Sequence, residues 1–380
     1  MERRKFIKYV TLTGMGFAFA GCKGGGKSNP DSVSQGEVYS PTSSAIATEP
    51  LKVGFVYLGS VGDFGWTYCH DLGRREMDTS LQSQVKTTFV ENVEPTADAE
   101  KVIRQLANEG NQLIFTTSVE FMNPTIKVAK DFPNVFFENC AGSKRATNVG
   151  TYMGRLEETR YLTGMIAGKM TESNIVGFIG AYPIPEIIRG IGAFMQGVRA
   201  TNPKAIVRVE WVQSWYNPPK EREAALSLFS SGADVLTQHT DSAAIVQLAE
   251  EKDILAFGHN TDMSRFGPNA HLTSDISKWG KYYTERVLAV INETWKPKEV
   301  WYGIGQGMVD ISPMNSVIPY DVQQLVLAKR EEFITGIAHP FDGPVKDQTG
   351  VVRVPKGKTL SDREQLKMDW YVEGIEGFLR

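Results

Sequence analysis

The sequence predicts an α/β protein divided into two lobes, each a parallel sheet flanked by helices. From Leu51 onward short β-branched and aromatic runs alternate with longer segments of helical period, as strand–helix units laid side by side require. The strand runs are apolar almost throughout, as in strands covered on both faces. They are also too many to sit comfortably in one open sheet, and the chain is long enough for two ordinary domains.

The first lobe opens with LKVGFVYL (51–58) and continues through QVKTTFVE (84–91), NQLIFTTS (111–118) and NVFFEN (134–139). The second half repeats the pattern in NIVGFIGA (174–181), AIVRVEWV (205–212), ADVLTQH (233–239) and DILAFGHN (253–260). All are rich in the side chains that suit a pleated, covered surface. Between them ADAEKVIRQLANEG (97–110), ETRYLTGMIAGKMTES (158–173), KEREAALSLFSSG (220–232) and SAAIVQLAEEK (242–252) carry apolar residues at three- and four-residue spacing, the mark of amphipathic helices. Gly110 and Gly232 stand where helix C-caps are expected, because glycine closes a helix in the left-handed conformation without steric cost.

The N-terminal stretch FAFAGCKGGGKS (17–28) admits two readings. Gly21 to Ser28 satisfies the phosphate-binding pattern G-x-x-x-x-G-K-[ST]. That loop needs a strand before it and a helix after it, and Pro30 with the polar run to Pro50 provides neither. Upstream, Arg3, Arg4, Lys5 and Lys8 precede an apolar run from Tyr9 to Ala20, too short to span a membrane. This is a secretory signal (1–21) followed by a flexible tether (22–50). RRKFIK reads either as an ordinary basic leader or as a twin-arginine export signal. Loss of the leader makes the formal net charge of −3 more negative, which excludes a basic nucleic-acid surface. Hydrophobic residues make up 41% of the chain, an ordinary share that supports a sizeable core. Of the remaining cysteines, Cys69 and Cys140 are either buried singly, the commoner arrangement, or paired.

Ligands of open α/β sheets bind beyond the carboxyl ends of the strands. Those ends carry Asp63, Glu91, Asn92, Thr117, Ser118, Glu138, Asn139, Trp215, Asn217, His239, Asp241, Asn260 and Asp262. Most polar residues there would be turn formers in any protein. Indoles among them point instead to a flat heteroaromatic ligand. No catalytic centre emerges. Cys69, His70 and Asp71 are adjacent in sequence, and neighbours on a helix point about a hundred degrees apart; His70 is expected at the surface or capping a helix. The 5 histidines lack zinc-site spacing. RGIGAFMQG (189–197) has Met195 where a dinucleotide fingerprint needs its third glycine, and helix packing accounts for its glycines. No cofactor or metal is expected, and no enzyme.

VGFVYLGSVGDFGW, ETRYLTGMIAGKM, GAYPIPEIIRGIGAFMQGV, GADVLTQHTD, LAFGHNTDM and FDGPVKDQTG, in that order from about Leu51 to Gly350, resemble the basic membrane protein family of substrate-binding lipoproteins, which serve ABC importers of purine nucleosides and bases. FAGC likewise resembles a lipobox, with Phe19 in place of the usual leucine and Cys22 as the acylated residue. The resemblance implies a periplasmic-binding-protein fold (type I) with three crossing segments and a hinged cleft. Lobe 1 would comprise 51–172 and 272–300, and lobe 2 would comprise 173–271 and 301–380. It also implies an exported, lipid-anchored monomer at the outer or periplasmic face of the cell membrane, working with permease and ATPase subunits. Carried over residue by residue, Asp63 would bond purine N–H groups while Trp66 and Trp215 sandwich the base. Asn139, Asn260, Asp262 and Lys278 complete the expected site. Asn260 stands where the family has an acid near the ribose and Lys278 is displaced by one residue, so base and nucleoside both remain open. A sensor or adhesin on the same fold is the alternative function, with a purine-processing enzyme more distant.

Overall fold

The computed structural model describes residues 49–379; the leader, the phosphate-loop pattern and Cys22 lie outside them. The first sheet is built from β1 (Leu51–Val56), α1 (Trp66–Leu81), β2 (Val85–Val90), α2 (Ala97–Asn108), β3 (Leu113–Thr116), α3 (Met122–Asp131), β4 (Phe136–Cys140) and β5 (Val149–Gly154). The chain then crosses over through α4 (Leu156–Met170), β6 (Ile175–Gly180), α5 (Pro185–Thr201), β7 (Ile206–Trp211), α6 (Pro218–Ser230), β8 (Val235–His239), α7 (Ala244–Glu251), β9 (Leu255–Asn260) and β10 (His271–Ser277). It returns with α8 (Gly280–Ile291) and β11 (Glu299–Tyr302), and crosses a third time into β12 (Val309–Ile311) and α9 (Tyr320–Ile334). A closing segment holds β13 (Val345–Lys346), β14 (Val352–Val354), α10 (Asp362–Gln365) and β15 (Ile375–Glu376).

The strand orders are β11-β5-β4-β3-β1-β2 and β12-β10-β9-β8-β6-β7-β15. Every pairing within these two sheets is parallel except β12 with β10. Two-sided burial follows: Leu113–Thr116 and Val235–His239 are buried at every position, as strands covered on both faces are. Gly110 and Gly232 take φ of 84° and 98°, the left-handed closure expected after α2 and α6.

The exchange between sheets falls at different residues from the expected boundaries. Helix α4, assigned by those boundaries to lobe 1, packs along α5 of the second sheet. Gly164 and Gly197 make this fit: a Cβ on Gly164 would lie 2.1 Å from Phe194 O, and one on Gly197 2.0 Å from Tyr161 O. Gly197, the last glycine of RGIGAFMQG, is therefore a helix-packing residue, while Gly192 packs against Met368 and Val372 of the closing segment. Strand β10 joins the second sheet as far as Ser277, so the crossing comes at Ser277–Gly280 rather than before residue 272.

His70 corrects an expectation. It is fully buried, stacked on Trp279 with ring centroids 4.6 Å apart and hydrogen-bonded to Tyr283. Its partners come from α8 and the turn before it, more than two hundred positions along the chain, and no local pattern shows them. Cys69 and Cys140 are buried and unpaired.

Candidate functional site

The loop leaving β1 is organised by Asp63. Its Oδ1 accepts from Gly65 N at 2.9 Å and Tyr68 N at 3.0 Å, and Oδ2 from Thr67 N at 3.0 Å, satisfying amides that the first turn of α1 leaves without helical partners. The cap fixes Trp66 at the helix start. Trp66 Nε1 donates to Thr117 O at 2.6 Å, which pins the indole beneath the end of β3.

The facing wall comes from the second sheet. Asn217 caps α6, accepting from Lys220 N at 3.2 Å, with Pro218 and Pro219 in the first turn where their missing N–H groups are not needed. Glu221 then accepts from Asn217 N, Thr240 Oγ1 and Ser242 Oγ at 2.8, 2.9 and 2.6 Å, tying the loop after β7 to the loop after β8. Asp241 N donates to Trp215 O at 2.9 Å. The result sets Trp215 and Asp241 side by side.

The two walls touch. Asp241 Oδ1 accepts from Trp66 N at 3.1 Å, and Trp215 Nε1 donates to Glu120 Oε1 at 3.1 Å. Thr261 Oγ1 donates to Phe64 O. At Gly65 the approach is backbone to backbone, since a Cβ there would lie 2.4 Å from Asp241 O. These contacts define a closed arrangement of the lobes. The cleft between them is tight in its inner part, with a cavity of about 40 Å3, and wider in its outer part, at about 540 Å3. Leu58, Trp66, Val119 and Trp215 give it apolar walls. Its outer part adds Asp63, Asn92, Glu120 and Tyr182. No lysine or arginine lines either part.

The inner end is polar. His239 ends β8 and His259 is the last residue but one of β9, with ring centroids 4.4 Å apart, and Glu186 from the first turn of α5 brings Oε1 to 3.8 Å from His239 Nε2. Behind them Arg160 of α4 pairs with Asp275 at 3.1 Å, and His259 Nδ1 lies 2.7 Å from Asp275 Oδ2. Burial pushes both imidazoles down, toward the neutral form, against the opposing pull of Asp275 on His259. Burial pushes the Asp275 carboxyl up, but Arg160 and His259 outweigh it and hold it below its ordinary range. Burial, then the charge of Asp63, pushes Asp241 well up.

Of the expected site residues, Asp63, Trp66, Trp215 and Asn260 line this cleft. Asn139 lies buried behind it, donating to Thr116 and Ser118. Lys278 and Asp262 do not line it. Lys278 is 47% exposed and its Nζ pairs with Asp310 at 3.1 Å, because it follows β10 at a position facing the third crossing. Asp262 is exposed and accepts from Ser264 N. Asn260 Nδ2 donates at 3.3 Å to Oδ1 of Asp241, an acid from the loop after the neighbouring β8. Asp241 and His239 stood among the strand-end residues without a role. Glu186 gave no signal, since an acid in a helix's first turn is ordinary.

Residues 51–340 match the Bmp family, described as "ABC transporter substrate-binding protein PnrA-like". A purine-binding protein of Brucella abortus is 45% identical over 88% of this chain and 95% of its own length. A putative ABC transporter glucose-binding protein of Haloferax volcanii is 33% identical over 87% of this chain and 81% of its own. Among solved structures, an ABC transporter solute-binding protein from Conexibacter woesei shares the fold with a TM-score of 0.64 at 22% identity, covering 76% of this chain and 98% of that one.

Proposed function

Because the chain belongs to the PnrA-like family of ABC transporter substrate-binding proteins, whose members bind for transport and are not enzymes, we propose that it captures an unphosphorylated purine, base or nucleoside, between its lobes. The lobes close on the ligand and hand it to the permease, while a separate ATPase subunit supplies the energy. One observation carries the ligand class: indoles from opposite lobes line a cleft edged by carboxyl groups and free of cations. Each indole offers a face for a flat ring, worth ~1–3 kcal/mol per stacked base. The carboxyl groups accept N–H donors. A phosphate would face Asp63, Glu120, Glu186 and Asp241 with no counter-charge, which selects against nucleotides. The purine-binding name of the Brucella relative supports the same class. The position of Lys278 outside the cleft favours the base over the ribose end.

Calorimetric titration of protein from Ser28 onward, refolded free of co-purified ligand, tests this against adenine, adenosine, AMP and glucose. Adenine and adenosine should bind tightly and AMP at least about a hundredfold more weakly. Glucose binding ahead of every purine would replace the ligand class with the one in the Haloferax relative's name.

The leader supports export and acylation at Cys22. A Cys22→Ser variant should lack the lipid mass and leave the membrane fraction. Lipid retained on that variant would refute the anchor site.

A further inference from the structure

The inner end of the cleft carries hydrogen-bonding groups that the protein itself does not satisfy. His259 Nε2 and His239 Nδ1 are buried without a partner, in side chains only 1% and 5% exposed that line the pocket. Glu186 beside them comes no nearer than 3.8 Å to His239 Nε2. Buried polar groups without partners are few in native proteins and call for an explanation. A metal ion is not it, since no group of three or more such side chains is arranged to hold one among the described residues.

The groups behind His259 fix its tautomer. Nδ1 sits 2.7 Å from Asp275 Oδ2, and Arg160 at 3.1 Å keeps that carboxylate ionised. Two lone pairs would repel at such a distance, so Nδ1 carries the proton. Arg160 Nη2, 2.9 Å from the same nitrogen, has its better acceptor in Gln238 O at 2.7 Å. A neutral imidazole protonated at Nδ1 presents a bare Nε2, which accepts and cannot donate.

We propose that Glu186, His239 and His259 read the polar edge of the ligand, with His259 Nε2 accepting an N–H from the heteroaromatic ring or its exocyclic amine. This rests on the purine reading above and adds the source of its selectivity. The apolar walls hold any flat ring, whereas the acceptor rejects a ligand that brings a methyl group to the same point, because Nε2 then stays buried and unpaired. Arg160 and Asp275 are positioning residues that hold the tautomer.

The test is a cycle between ligand and protein. Adenine, 9-methyladenine and N6,N6-dimethyladenine are titrated into the wild type and His259→Leu. In the wild type at least one methylation should weaken binding by about tenfold to a hundredfold. In the variant that same methylation should cost less than about threefold. A purely packing role for His259 would weaken all three ligands equally and leave the ratio unmoved, which overturns the inference while purine binding stands. Failure of every purine to bind the wild type overturns the parent reading as well. Should His259→Leu not fold, the wild-type series read beside Glu186→Gln and His239→Leu decides: tolerance of both methylations in the wild type overturns the acceptor role, as does a sharp loss that either variant abolishes, and one sharp loss that both variants leave in place assigns the acceptor to His259.

Discussion

Replacing Gly65 by alanine is expected to weaken ligand binding by about a hundredfold and leave the ligand-free protein as stable as before. The added Cβ would stand 2.4 Å from Asp241 O and 2.6 Å from Asp241 Cα, inside any tolerable contact. Asp241 belongs to the opposite wall, so the clash exists only when the lobes meet. Neither lobe's core includes the site. A penalty on the closed form alone lowers apparent affinity by the fraction of molecules still able to close. Titration and thermal melts of the two proteins check this, and wild-type affinity in the variant would show that this approach is not needed for binding.

The second expectation is the reverse: Arg286→Met should cost about 3–5 kcal/mol of stability and leave affinity unchanged below the melting range. Glu138 is fully buried in the first lobe and accepts from Arg286 Nε, from Trp295 Nε1 at 2.9 Å and from Tyr282 Oη at 2.8 Å. Removing the guanidinium strands the carboxylate in the core. Burial already pushes that carboxyl up against the pull of Arg286, and without it the folded value rises further above the unfolded one of about 4.3. The native variant then holds a proton that the unfolded chain has released. Its deficit is smallest near pH 5 and grows as pH rises, by at most about 1.4 kcal/mol per unit. Denaturant titrations at pH 5 and 8 measure it, and a deficit that shrinks with rising pH would contradict the role given to Arg286.

The strands readable from sequence were β1 to β4 and β6 to β9, each within its expected run save for Cys140 at the end of β4. Strand β5, VGTYMG, escaped notice because glycines break its apolar run, although it is an interior strand of the first sheet, between β11 and β4. Strand β10, HLTSDIS, is polar in composition and buried in fact. Its Thr273 and Ser274 are satisfied by Ser312, and its Asp275 by Arg160 and His259. Such partners lie tens of residues away, so periodicity cannot show them. The same limit explains the site. Asp63, Trp66 and Trp215 sit in local motifs with their own turn chemistry and were legible. Lys278 was misplaced because side chains at a strand's end alternate between faces, and one residue of displacement sends the ammonium to Asp310. The inner histidines and Glu186 acquire meaning only from the apolar pocket around them.

The bonds that Trp66, Trp215 and Thr261 make across the cleft are protein to protein, and that sets a limit on economy in the transporter as a whole. Every such bond raises the closed fraction of the empty receptor by the same factor by which it tightens capture. An importer that recognises the closed shape would then turn over without cargo, hydrolysing ATP at idle. The strength of this clasp is therefore bounded from above by waste and from below by scarcity of the solute, and the ratio of empty to loaded ATPase stimulation would read out where this protein stands between them.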